Sequence, residues 1–341
     1  PTLVSATALS ADRVEVRYSE SVSESTAQQV SNYALDGGAT VTSATRQSDE
    51  RTVVLATSTL TQSQNYTLTI NGVEDRSGNA IAANSQDSFA FTPPAPVAHW
   101  RLDEGTGTVA ADASGNGNTG TLLGGAGWGT GQVNGALALV GAGDNISVPD
   151  SASLSITGTG LTLSAWIYPT QAVASVLIHK EQHYSLLRHA DGSLTYADSA
   201  TWSYATFGNH GSTPLNTWSH VAVTFDGSVV RFYINGAEVG AVTRAGSLSD
   251  NAQSVYLGSY DGVGLFFAGR LDEARIYDQA LSAGDVAALH TSGSVDTTAP
   301  TLVSATALSA DRVEVRYSES VSESTAQQVS NYALDGGATV T

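Results

Sequence analysis

Short runs that alternate apolar and polar residues fill most of the chain. Val14, Val16 and Tyr18 fall on one face of an extended segment, and Val53 with Leu55, Tyr66 with Leu68 and Ile70, and Phe89 with Phe91 repeat the pattern. A period of two is the signature of strands with one buried face. Asp36-Gly37-Gly38 and Asn71-Gly72 supply turns between such runs. About seven short strands in residues 1–92 predict an immunoglobulin-like sandwich. With no cysteine in the chain, the Cys–Trp–Cys pattern of antibody domains is absent. Ser25-Thr26-Ala27-Gln28 has the spacing of a capping box and predicts one helical turn before Asn32-Tyr33.

Thr92-Pro93-Pro94-Ala95-Pro96 interrupts the pattern, and proline-rich sequence favours a stiff extended linker, assigned to residues 93–96. Alternation resumes over residues 97–292, with turns at Asp226-Gly227 and Asn235-Gly236 and almost no helical period. One short helix is expected near residues 282–290, with Ser282 as N-cap and Asp285 three residues on. A second linker covers residues 293–299. The predicted fold is therefore all-β throughout: a sandwich, a larger second β domain, and the start of a third unit.

Particular motifs sharpen both assignments. Tyr18-Ser19-Glu20-Ser21-Val22, Asn32-Tyr33-Ala34-Leu35 and Val73-Glu74-Asp75-Arg76-Ser77-Gly78-Asn79 occur in order in residues 1–92. They resemble the Ig-like repeats of bacterial surface-layer proteins and adhesins, which implies a rod-like spacer. The central block opens with Val97-Ala98-His99-Trp100-Arg101-Leu102-Asp103-Glu104 and passes through Leu163-Ser164-Ala165-Trp166-Ile167 and Trp218-Ser219-His220-Val221. It closes with Gly269-Arg270-Leu271-Asp272-Glu273-Ala274-Arg275-Ile276-Tyr277. This order resembles a bacterial laminin G-like jelly roll of the concanavalin A type, which implies two antiparallel sheets packed face to face.

The chain also repeats itself. Residues 1–42 and 300–341 are identical, at an offset of 299 residues. Surface positions drift after an ancient duplication, so identity implies a tandem array kept uniform by recent duplication, or an engineered concatemer. Residues 300–341 are expected to begin a second Ig-like repeat and to superpose on residues 1–42.

Composition narrows the function. Lys and Arg number 14 against 32 Asp and Glu, a net charge of −18. The second copy carries five acids and two arginines, so one 299-residue period carries −15. This balance argues against a nucleic-acid partner, whose phosphates need cationic side chains. It suits an acidic surface or a binder of divalent cations. Without cysteine there are no disulfides and no thiolate chemistry, and identical neighbours are spared mispairing. Methionine is also 0, which suggests a window from a longer chain. No apolar run approaches the 18 or more residues of a membrane span, and an export signal would lie outside the window.

Candidate sites follow from residue type. The loop Asp112 to Asn118 sets carboxylate and amide oxygens between glycines, as a calcium loop does. The jelly-roll resemblance implies that the first and last strands lie side by side, bringing Asp103 and Asp272 towards it. The expected metal ligands are thus Asp103, Asp112, Asn116, Asn118 and Asp272, with calcium as a structural cofactor. Tight αL turns would explain the same residues. A glycan site is sought among the aromatic and polar residues His183, Tyr184, Arg188, Trp202, Tyr204 and Tyr260. Sugars stack on exposed rings, although the same rings would serve a sandwich core. Glu20, Asp75 and Asp296 could hold calcium between domains.

Catalysis is not expected. His-Glu-x-x-His and G-x-S-x-G are absent. So is the strand-borne Glu-x-Asp-x-x-Glu run of concanavalin A-type glycoside hydrolases. Asp272 and Glu273 are adjacent and would fall on opposite faces of a strand, and Lys180-Glu181 looks unsupported. The sequence is read as a repeat unit of a long extracellular bacterial surface fibre or giant adhesin, a spacer plus an adhesive jelly roll. The alternative is a calcium-assisted glycan- or protein-binding module of a secreted multidomain protein such as a carbohydrate-active enzyme. Glycans, surface proteins and neighbouring repeats are the expected partners.

Overall fold

The computed structural model describes residues 1–200, 203, 207–292, 302–309, 312–317 and 328–332. Pro1–Ser294 form one compact unit and Val295–Thr341 another.

In the first domain the alternation is realised as read. Val14, Val16 and Tyr18 are buried along Arg13–Tyr18, while Glu15 and Arg17 turn outward. Tyr66, Leu68 and Ile70 do the same along Asn65–Ile70. Seven strands form a four-stranded sheet (Leu3–Ser10, Arg13–Tyr18, Thr52–Thr57, Val41–Arg46) and a three-stranded one (Tyr33–Leu35, Asn65–Ile70, Ser85–Ala90). One apolar core joins them. Each fully buried aliphatic or aromatic side chain there contributes about 1.5–3 kcal/mol. Two tyrosines bring polar atoms into that core and satisfy them in series. Tyr18 OH donates to Tyr33 OH, which donates to the Ala27 carbonyl at 2.7 Å. The helical turn Glu24–Ala27 starts two residues earlier than expected: its N-cap is Ser23, and Ser25 lies within it.

The second domain is a sandwich of two antiparallel sheets. The back sheet runs Leu194–Asp198, Tyr184–Arg188, Ser175–Lys180, Val255–Leu257, Asn145–Val148, Gly120–Leu123, Val109–Ala110. In the front sheet the order is Gly127–Thr130, Gly135–Val140, Ala268–Tyr277, Leu161–Pro169, Ser219–Phe225, Val229–Ile234, Ala237–Thr243. Ala98–Trp100 also pairs with Ala268–Tyr277, so the first and last strands are neighbours, as the resemblance implied. Asn235 (φ 50°) and Gly236 (φ 78°) make the tight hairpin turn read from their sequence.

The helix Ala283–Ser292 ties the two domains together. Ser282 Oγ accepts the Asp285 N–H, and Asp285 Oδ2 accepts the Ser282 N–H, which completes the capping box. The helix covers the outer face of the front sheet, where Val286 and Leu281 pack with Tyr233 and Tyr277. That cover explains why Leu161–Pro169 is buried on both faces. Its far side leans on the first domain, with Ala288 against that core.

In the second unit, Leu302–Ser309 and Arg312–Tyr317 pair in the register of their identical counterparts, with bulges at the same places. The remainder of residues 300–341, apart from the short 3-10 turn Val329–Asn331, lies outside the described residues. Val313 is 45% exposed where its counterpart Val14 is 0%.

Candidate functional site

The expected calcium ligands fall into two groups. Asp112 accepts the backbone N–H groups of His99, Ser114 and Asn118, and the Ser114 hydroxyl. Those bonds hold its carboxyl below the usual range against the opposing effect of burial. Asn116 and Asn118 both donate to the Val97 carbonyl at 2.9 Å. The Asn118 amide oxygen accepts from Ser151 and Ser153. The oxygens of Asp112 and the amide oxygen of Asn118 thus serve a turn.

Asp103 and Asp272 lie instead beside residues 131–135. Asp103 accepts the Gly135 N–H at 2.8 Å, and Asp272 Oδ2 accepts those of Gln132 and Val133. Asp272 is fully buried and its Oδ1 has no hydrogen-bond partner. Burial first, with help from Glu273 and Asp103, pushes its carboxyl up to about 7. An orphaned buried oxygen beside a second carboxylate fits an oxygen-seeking cation.

Asp272 and Glu273 do not alternate as expected. Glu273 sits at φ 51° in a bulge opposite Ala165. The bulge lets Leu271, Ala274 and Ile276 all reach the core, and it leaves both acids outside it. Glu273 then pairs with His99 and Arg275.

Of the expected glycan residues, three are structural. His183 is fully buried, with Nε2 2.6 Å from the Ile156 carbonyl and Nδ1 3.3 Å from Asp250. Tyr184 is fully buried and donates to the Leu154 carbonyl. Arg188 is 1% exposed and donates to Thr213 and His189. None presents a face to a sugar. Trp202 and Tyr204 lie outside the described residues. Lys180, read as unsupported, is fully buried and bonded to Asp150 and Asp250.

Among the described residues of the set, Tyr260 alone lies at the surface, half-buried. It begins a tight loop closed by its pairing with Gly264 and turned by Asp261 (φ 48°) and Gly262 (φ 70°). The loop displays Val263, 78% exposed, and Leu265, 38% exposed. Beneath it, cross-strand pairs place Tyr256, His179 and Ser185 on one face of the back sheet. The His179 ring packs against Tyr260 at 4.5 Å between centroids. Its Nε2 lies 3.3 Å from Glu181 Oε2 and 3.2 Å from Asp261 Oδ1. Burial pushes this imidazole down to about 4. Burial and the Glu181 carboxylate raise Asp261. Sequence reasoning missed this cluster, and its only local signal is His179-x-Glu181.

A concavity of about 290 Å³ lies in the joint between the domains and is lined by Leu60, Phe91, Pro94, Leu281 and Leu289 among others. No helix among the described residues is long and apolar enough to cross a membrane.

Residues 140–287 match the family model of the concanavalin A-like lectin/glucanases superfamily, and residues 3–93 match that of the bacterial Ig-like domain. No curated protein matches the chain. Similar solved structures include Domain 4 of AbnA, a GH43 extracellular arabinanase from Geobacillus stearothermophilus, in complex with arabinotriose. It is 24% identical with a TM-score of 0.47, over 57% of this chain and 98% of that one. The binding domain of Paraclostridial Mosquitocidal Protein 1 is 19% identical with a TM-score of 0.45, over 58% of this chain and 52% of that one. The Botulinum neurotoxin serotype G binding domain is 15% identical with a TM-score of 0.44, over 57% of this chain and 50% of that one. The chain therefore spans about half the length of the toxin domains it resembles.

Proposed function

We infer that this chain, in which a bacterial Ig-like domain precedes a concanavalin A-like jelly roll of the laminin G type, is a non-catalytic binding module of an extracellular tandem array. The repeat carries this reading: 42 residues recur without change at an offset of 299, and their first hairpin recurs in the same register. Alternating the two folds separates like domains, which limits swapping between identical neighbours. Repetition raises the effective concentration of any weak contact surface. The acidic surface keeps such an array soluble.

Within the period, the Ig-like domain is a spacer and the jelly roll carries the contact surface. Tyr260, Val263 and Leu265 supply exposed ring and aliphatic area beside the acids Glu181 and Asp261. A glycan or a protein on another surface is the expected partner. Applied to a panel of immobilised polysaccharides, the chain is expected to be retained without releasing reducing ends. Release of reducing ends would overturn the non-catalytic reading.

Calcium belongs to this proposal as a structural ion held by Asp103 and Asp272, where it would neutralise a buried carboxylate. Added calcium is expected to raise the melting temperature of the chain, and Asp272→Asn to abolish that rise. An undiminished rise in the variant would place the ion elsewhere.

A further inference from the structure

We propose that His179, Glu181 and Asp261 form a binding site for a divalent transition-metal ion of the zinc class. The strand end and the turn after it place His179 and Glu181 two residues apart, and the 260–264 loop brings Asp261 over them. The three ligand atoms lie within 4.8 Å of one another.

The spacing fits a metal. Zinc bonds imidazole nitrogen and carboxylate oxygen at about 2.0–2.2 Å, so tetrahedral donors sit about 3.3 Å apart. Here the imidazole nitrogen is 3.3 Å from one carboxylate oxygen and 3.2 Å from the other. A single N–H can only be shared between the two carboxylates as a weaker three-centre bond, whereas a cation serves both at once.

The ring is also held as a ligand is held. His179 is fully buried, and its Nδ1 lies 3.1 Å from Ser185 Oγ. This bond turns Nε2 towards the carboxylates, the outer-shell arrangement usual for a metal-bound histidine. Tyr260 packs on the ring from the loop side.

Charge supplies an independent argument. Lys180 pairs with Asp150 and Asp250, and Arg244 with Asp198. Among the described residues no Lys or Arg pairs with Glu181 or Asp261. Two adjacent carboxylates, 20% and 31% exposed, thus face His179 as their one ring-nitrogen partner. One nitrogen and two oxygens suit zinc or its neighbours better than calcium, which prefers oxygen alone.

This inference goes beyond the binding-module reading and does not depend on it, since its test reads metal and no glycan. The whole chain, stripped with EDTA and desalted, is titrated with zinc chloride and with cobalt chloride by calorimetry and visible absorption. One equivalent is expected to bind at micromolar or tighter affinity, with cobalt giving a low-coordination spectrum. Asp261→Asn and His179→Gln are each expected to weaken binding at least tenfold, and Ser185→Ala by about 10–100-fold. His189→Gln should leave it unchanged. Should His179→Gln fail to fold, Asp261→Asn and Glu181→Gln, both nearer the surface, decide the matter. No zinc uptake by the wild-type chain, or uptake unchanged in those two variants, would overturn the proposal.

Discussion

Replacing Lys180 with methionine is expected to cost about 3 kcal/mol of folding stability, the lower end of the range for breaking a buried ion pair. The ammonium is wholly buried and bonds Asp150 at 2.8 Å, Asp250 at 3.0 Å and the Leu154 carbonyl at 3.2 Å. It pins two loops to the end of the back sheet, where His183 braces the same Asp250. Methionine fills the volume but leaves two carboxylates facing each other without a cation. Their residual exposure, 27% and 30%, moderates the loss. Adding Asp150→Asn and Asp250→Asn removes the uncompensated charge and should recover much of it. Urea unfolding of the single and triple variants checks this. A single-variant cost under about 1 kcal/mol would mean that these groups are effectively solvated.

Asp285→Ala is expected to cost about 2–3 kcal/mol and to separate the melting of the two domains. Asp285 Oδ1 accepts the buried Ala11 N–H at 2.9 Å, while Oδ2 closes the helix cap. Orphaning a buried N–H costs about 1–3 kcal/mol, and losing one side of the cap adds a smaller amount. Ser282 Oγ donates to Asp12 of the first domain at 3.0 Å, so cap and joint share residues. Gly284 stands against the same aspartate, and a Cβ there would lie 2.5 Å from Asp12 Cγ. Gly284→Val should therefore loosen the joint by a steric route. Differential scanning calorimetry is expected to record one transition for the wild type and two for each variant. A single transition in both variants would show that the joint holds by other contacts.

How far the sequence foretold this structure depends on the distance over which each feature is decided. The strands around Val14 and Tyr66 were legible because alternation is local, and so were the Ser282–Asp285 cap and the Asn235-Gly236 turn. The aromatic and polar stretch from His183 to Arg188 misled for the opposite reason. Polar side chains are costly to bury, so they read as surface. Their burial rests on Asp250, Ile156 and Thr213, which the chain brings back from far away. The 112–118 loop was ambiguous because a turn and a calcium site use the same residues. In the structure both amide groups donate to Val97, which serves the turn. The Glu273 bulge left no local mark, and it overrode the period of two that sequence reading assumes. The His179 cluster needed a loop that returns some eighty residues later.

The central claim is that the jelly roll presents a binding surface at the 260–265 loop while the rest of the period serves as its scaffold. Binding of the wild-type chain to a glycan panel, beside a Tyr260→Ala, Val263→Ser, Leu265→Ser variant, tests it most directly. The wild type is expected to retain at least one glycan, and the variant to lose about tenfold or more in affinity with its melting temperature preserved. A wild-type chain that retains none, or a folded variant that binds equally well, would contradict it.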